Sequence, residues 1–241
     1  MPLSRRVFAL LCLLSVAISQ VAVAQEKKHS AITPVPRDAN WMKRHDSFNE
    51  RVKKGNVDLL LIGDSITQGW EGGGGKKVWE KYYTPRNAVN LGIGGDRTEH
   101  VLWRLDNGNI EGISPKAAVI MIGTNNSGSN TSEEIAEGVA AIVTKLRTKL
   151  PKTKLLVLAI FPRGANNEDK RRLVNVGANK LIAKLADGDM VHFLDIGPKF
   201  LKEDGTLEKS VMPDLLHLNE SSYTTWAESI EPKVKELMGE K

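Results

Sequence analysis

"VDLLLIGDSITQGW" occupies residues 57–70, and its reading decides the fold. Val57–Ile62 is a short apolar run of the kind that forms a strand covered on both faces. Gly63-Asp64-Ser65 then leads into a segment of helical character. A buried strand that ends in small residues presents its next side chain at the lip of a sheet. Ser65 there admits two readings. Asp and Ser both accept hydrogen bonds from free N–H groups at a helix start, and a hydroxyl at the lip can also meet a substrate.

Working outward, the same kind of run recurs as "AVNLGI" (88–93), "AAVIMI" (117–122), "KLLVLAI" (154–160) and "VHFLDI" (191–196). All five runs are predicted to be strands buried on both faces. Amphipathic segments lie between them. In one, Ile135, Val139, Ile142, Val143, Leu146 and Leu150 recur at helical spacing, Thr131 and Glu134 fit a capping box, and Pro151 ends the pattern. In the last, Tyr223, Trp226, Ile230, Val234 and Leu237 form an apolar stripe that Pro232 is expected to kink or split. Strands alternating with helices predict a doubly wound, five-stranded parallel sheet of flavodoxin-like type, with helices on both faces.

The 241 residues divide into three expected parts: a signal peptide (1–24), a polar tether (25–40) and one domain (41–241). Arg5 and Arg6 precede an apolar run from Val7 to Ile18, followed by Ala22-Val23-Ala24, the pattern of a secretory signal with its cleavage site. The run is shorter than the roughly 20 apolar residues of a membrane span, an uncleaved anchor being the rival reading. Export, to the periplasm or the medium, and no lasting membrane insertion are the expectation. Cys12, the single cysteine, lies within that run, so a cleaved chain would hold no thiol for disulfides, nucleophilic catalysis or metal ligation. At 41% hydrophobic and 26% charged the composition is that of a globular protein, which excludes a disordered or fibrous chain. The formal net charge of +5 falls by two, to +3, once Arg5 and Arg6 leave. With no Lys/Arg stripe interleaved with aromatics, a nucleic-acid partner is not expected.

Ligands of doubly wound sheets bind outside the carboxyl ends of the strands. Four polar or glycine-rich clusters fall there: Ser65, "GIGGDRT" (92–98), "GTNNSGSN" (123–130) and "MPDLLHLN" (212–219). Each has a bland explanation as a cap, a tight turn, a turn-forming Asn or a surface His. Together they supply what acyl transfer needs: a nucleophile, a base, an orienting carboxylate and oxyanion donors. Asp214 and His217 stand three apart, so one turn can set the carboxylate against one ring nitrogen while the other faces Ser65. Ser65 N–H, Gly95 N–H and the Asn125 amide are the candidate donors. Ile66 and Leu216 flank the nucleophile and the base and are expected to crowd the acyl tail, favouring acetyl. Asp195, at the end of the fifth run, is a rival for the orienting acid. Asp64 is read as bracing the turn, Trp41 and Phe48 as docking the leader on the core, and His45, His100 and His192 as structural. A metal-dependent phosphoesterase built on Asp64, Asp96 and His217 is a minor alternative.

These blocks resemble those of the SGNH or GDSL hydrolases. The matching residues are Ser65 in "GDS", Gly95 in "NLGIGGD", Asn125 in "GTNN", and Asp214 with His217 in "DLLHL", in family order across about residues 57–238. "NLGIGGDRTEHVLWRLDNG" and "FPRG" are most similar to the intracellular platelet-activating factor acetylhydrolase branch. The resemblance implies a serine esterase without metal or organic cofactor, acting on a small-molecule or oligosaccharide ester. Two departures stand out: the export signal, and the insert "EGGGGKK" (71–77), whose run Gly72–Gly75 is expected to form a flexible rim. The resemblance to exported members makes acetylated carbohydrate the expected substrate. A phospholipid-type acetylhydrolase or lysophospholipase, and a catalytically silent glycan-binding protein on the same fold, are the alternatives.

Overall fold

The computed structural model describes residues 29–241. The expected signal segment, with Cys12, lies outside the described residues. The chain runs α1 (Ala39–Lys53), β1 (Leu59–Gly63), α2 (Ser65–Gln68), α3 (Lys76–Tyr82), β2 (Ala88–Gly92), α4 (Thr98–Asp106), β3 (Ala117–Met121), α5 (Ser132–Lys149), β4 (Lys154–Leu158), α6 (Lys170–Ile182), β5 (Val191–Leu194) and α7 (Glu220–Met238). The five strands form one sheet in the order β2-β1-β3-β4-β5, and every pairing is parallel. This is the doubly wound sheet expected from the alternation. The chain leaves β1 first to one side and then to the other, which opens a crevice beyond the carboxyl ends of β1 and β3.

Alternate residues of each strand feed two cores, as strand pleating requires. Leu60, Ile62, Ala118, Ile120, Leu155 and Val157 pack with α1, α4 and α5. Leu59, Leu61, Val119, Met121, Leu156 and Leu158 face α7, whose buried stripe is the one anticipated: Tyr223, Trp226, Ile230, Val234 and Leu237. The fully buried Trp70 and Trp226 rings meet at 4.8 Å between centroids, and truncating such a ring costs about 3–5 kcal/mol. The Thr131–Glu134 capping box is present at the start of α5.

Three local features differ from the sequence reading. His192, Phe193 and Leu194 are only half-buried because β5 is an edge strand, covered on fewer sides than β1 or β3. Pro232 lies inside an unbroken α7; it and Glu228, whose carbonyl it deprives of a partner, sit on the exposed side, where water can serve that carbonyl. Gly72–Gly75, expected as a flexible rim, forms a hydrogen-bonded turn: Gly72 N donates to Gly69 O and Lys76 N to Gly72 O. A Cβ on Gly74 would lie 3.4 Å from the Asn219 backbone, so this turn rests on the chain just after His217. The segment read as a tether is described from His29 onward. There Ala31 is buried and its carbonyl accepts from Thr98 Oγ1, while Asp38 caps α1.

Candidate active site

Asp64 and Ser65 stand where β1 passes into α2. Asp64 Oδ1 accepts from Ile66 N at 3.0 Å and so caps α2. The helix sits directly on the sheet. A Cβ on Gly63 would collide with Thr67 Oγ1 and the Met121 carbonyl, and one on Gly92 with the backbone of Thr67 and Gln68. The absence of side chains at these two positions fixes the depth at which Ser65 emerges.

Ser65 Oγ lies 2.9 Å from His217 Nε2, across 152 residues of sequence. His217 Nδ1 lies 2.6 Å from Asp214 Oδ2. Asp214 Oδ1 accepts from the backbone N–H of Leu216 (3.1 Å) and of His217 (2.7 Å), so the carboxylate builds its own turn, with Leu215 between them at φ +60°. Partial burial pushes the Asp214 carboxyl up, but the N–H and imidazole of His217 outweigh it and hold the group below the ordinary carboxylate range.

Gly95 and Asn125 come to the same edge after β2 and β3. Gly95 is exposed at φ +77°, a conformation a side chain would strain. Gln68 Oε1 accepts from Gly94 N at 2.7 Å, and Asn125 Nδ2 donates to Asp96 O at 2.9 Å, which ties the two loops together. Behind Asn125, Arg163 of the "FPRG" stretch donates to Thr124 O and Oγ1 at 3.1 and 3.2 Å. Beneath them Asp96 is fully buried. Its Oδ1 accepts from Trp41 Nε1 (2.6 Å) and Arg37 Nη1 (3.1 Å), its Oδ2 from the equally buried Arg104 Nε (2.9 Å). Asp96 is therefore a structural anion and not a ligand shared with Asp64 and His217.

Asp64 is buried throughout, and its Oδ2 has no hydrogen-bond partner among the described residues. Burial pushes its carboxyl up to about 7, opposed by the Ile66 N–H; Asp96 adds to the rise and His217 reduces it.

The remaining expected residues are placed as follows. Ile66 is 1% exposed and packs in the core next to Ser65, which corrects its reading as a side chain that crowds the acyl tail: it follows the buried face of α2. Leu216 is half-buried at the surface. Asp195 accepts from Gly197 N and, with Arg172 and Asn175, lines a separate cavity of about 190 Å³ that no residue of the Ser65–His217–Asp214 set borders. His45 and His100 are bonded to Asn109 and to Arg97 N, and His192 to Asp189 O. Trp41 and Phe48 belong to the core. Arg37, Gln68, Arg104 and Arg163 were not singled out in the sequence. Arg104 alone left a local sign, as an arginine among Val101, Leu102 and Leu105 on the apolar stripe of α4.

A model of the GDSL-like lipase/acylhydrolase family matches residues 61–224. Platelet-activating factor acetylhydrolase IB subunit alpha1 of Homo sapiens is 38% identical over 198 residues, 82% of this chain and 84% of that protein. Among solved structures, a GDSL-like lipase from Bacteroides thetaiotaomicron has a TM-score of 0.61 at 20% identity, covering 80% of this chain and 97% of that one. A carbohydrate acetylesterase from Sinorhizobium meliloti has a TM-score of 0.58 at 20% identity, with 76% and 100% covered. At such identity the two solved structures share the fold.

Proposed function

The chain belongs to the GDSL-like lipase/acylhydrolase family and is a hydrolase, and from that premise we propose that it is an exported serine esterase that removes short acyl groups, acetyl above all, from carbohydrate. The single observation that carries the chemistry is the continuous contact from Ser65 Oγ through His217 to Asp214. His217 Nε2 takes the proton as Ser65 Oγ attacks the ester carbonyl, while Asp214 holds Nδ1–H and steadies the imidazolium. Ser65 N–H, Gly95 N–H and the Asn125 amide stabilise the oxyanion. His217 returns the proton to the departing alkoxide and then activates a water that frees the acid from Ser65.

Export rests on the Arg5-Arg6 and Ala22-Val23-Ala24 pattern and supports a substrate outside the cytoplasm. The relatives named as platelet-activating factor acetylhydrolase subunits favour a second reading, an acetylated phospholipid. Both readings share acetyl transfer. Incubation with a fluorophosphonate tests the common mechanism: stoichiometric labelling of Ser65 is expected, and folded protein that takes no label overturns it. Acetylated oligosaccharides assayed beside an acetylated ether phospholipid separate the substrates. The larger kcat/KM is expected for the oligosaccharide, and the reverse ranking assigns the enzyme to phospholipid.

A further inference from the structure

We propose that Arg37 is a positioning residue of the oxyanion site, acting through the peptide that joins Gly94 to Gly95; this rests on the reading of Gly95 N–H as an oxyanion donor. Arg37 Nη1 donates to Gly94 O at 2.7 Å and to Asp96 Oδ1 at 3.1 Å. Gly94 C=O and Gly95 N–H belong to one planar peptide unit, in which the two groups point in opposite directions. A charged donor fixed on the oxygen therefore fixes the aim of the N–H. It also draws electron density toward the oxygen, which makes the N–H a stronger donor. The guanidinium lies along the same loop, with both Nη atoms 3.2 Å from the position a Gly95 Cβ would take.

The placement of Arg37 is itself rigid. Asp38 caps α1 by accepting from Asn40 N and Trp41 N, and Trp41 Nε1 binds the same Asp96 oxygen that Arg37 does. Asp96 is wholly buried, while the Arg37 side chain is 29% exposed. The cation thus spans a buried anchor and the loop at the surface. Oxyanion charge develops only as the transition state forms, so an effect through Gly95 N–H appears in kcat and leaves KM nearly unchanged.

The experiment uses the full chain with p-nitrophenyl acetate, measuring kcat, KM and Tm for wild type, Arg37→Ala, Arg37→Lys and Asn125→Ala. Arg37→Ala is also assayed with guanidinium chloride at concentrations that leave wild type unaffected. Arg37→Ala is expected to lose roughly 10-fold to 100-fold in kcat, less than or comparable to the loss of a direct oxyanion donor. Its KM should stay within about twofold of wild type, as expected for a loss confined to the transition state. Added guanidinium should restore activity several-fold, and Arg37→Lys should retain more activity than Arg37→Ala. Full kcat in Arg37→Ala beside a depressed Asn125→Ala overturns the proposal and leaves the oxyanion reading standing. Full kcat in both folded variants overturns that reading as well. A loss of kcat that tracks a fall in Tm, without response to guanidinium or to lysine, makes Arg37 merely structural and also overturns the proposal.

Discussion

The two halves of the candidate site are held in opposite ways. The nucleophile and oxyanion half rests on side chains shut away from water: Asp64, Asp96 and Arg104 are all fully buried, and their partners come from α1, α2, α4 and the loops after β2 and β3. The acid–base half is a four-residue turn at the surface, where the side chains of Asp214 and His217 are 54% and 45% exposed. Under the proposed mechanism the difference follows from the task assigned to each half. Donors that meet a developing charge must be fixed before it appears, and a network drawn from many elements fixes them. A base that takes up and hands back a proton needs only its ring orientation, which a local carboxylate supplies.

The largest test of this contrast is Asp214→Asn. Activity should fall on the order of 10⁴-fold in kcat, since the imidazolium loses its counter-charge and the ring its tautomer. Tm should barely move, because exposed pairs contribute little to stability. Asp195→Asn should leave kcat unchanged, and the reverse ranking would transfer the orienting acid to the end of β5. Arg104→Ala probes the buried half. Arg37 and Trp41 still hold Asp96 Oδ1, but Oδ2 loses its fully buried cation; breaking such a pair costs about 3–5 kcal/mol, a fall in Tm on the order of 10 °C for a chain of this size. A change of a degree or two would mean that the cradle does not depend on the pair.

Asp64→Asn reads out the burial of a titrating group. The folded carboxyl titrates at about 7, above its unfolded value, so its contribution is complete below about pH 4 and is lost as pH rises toward 7. Wild-type Tm should therefore decline relative to the Asn variant across that window; parallel curves would contradict the raised value. Asp214, held below its ordinary value, acts in the other direction, its contribution being lost as pH falls below about 4. The smallest effect is expected from Tyr223→Phe. Tyr223 Oη donates to Ile66 O at 2.7 Å, a bond worth about 1 kcal/mol, and kcat should be unchanged. A large loss of kcat would tie α7 to the chemistry.

What the sequence made legible divides along the same line. Asp214 and His217 could be paired by eye because they stand three positions apart, and the strands were plain because parallel sheets bury continuous apolar runs. Ser65, Gly95 and Asn125 were singled out by the rule that places ligands beyond strand ends, together with the motif blocks, and the fold brings them to one sheet edge. The contacts of Arg37 with Gly94 and Asp96 span 57 and 59 residues, and no local pattern encodes such reach. Arg104 could have been found: a cation on a buried helix face demands a buried anion, and Asp96 precedes it by eight residues. Ile66 was misread for a related reason. Adjacency to the nucleophile in sequence says nothing about which face of α2 a side chain takes.

The flush seating of α2 on the sheet has a consequence for laboratory evolution. Gly63 and Gly92 admit no Cβ without displacing backbone, so libraries that randomise them should return almost wholly inactive, poorly expressed clones. Randomising Leu215, Leu216 and the Gly72–Gly74 turn should yield folded proteins at high frequency. New acyl or leaving-group preferences are thus expected to arise by changing the surface turn around an unaltered nucleophile.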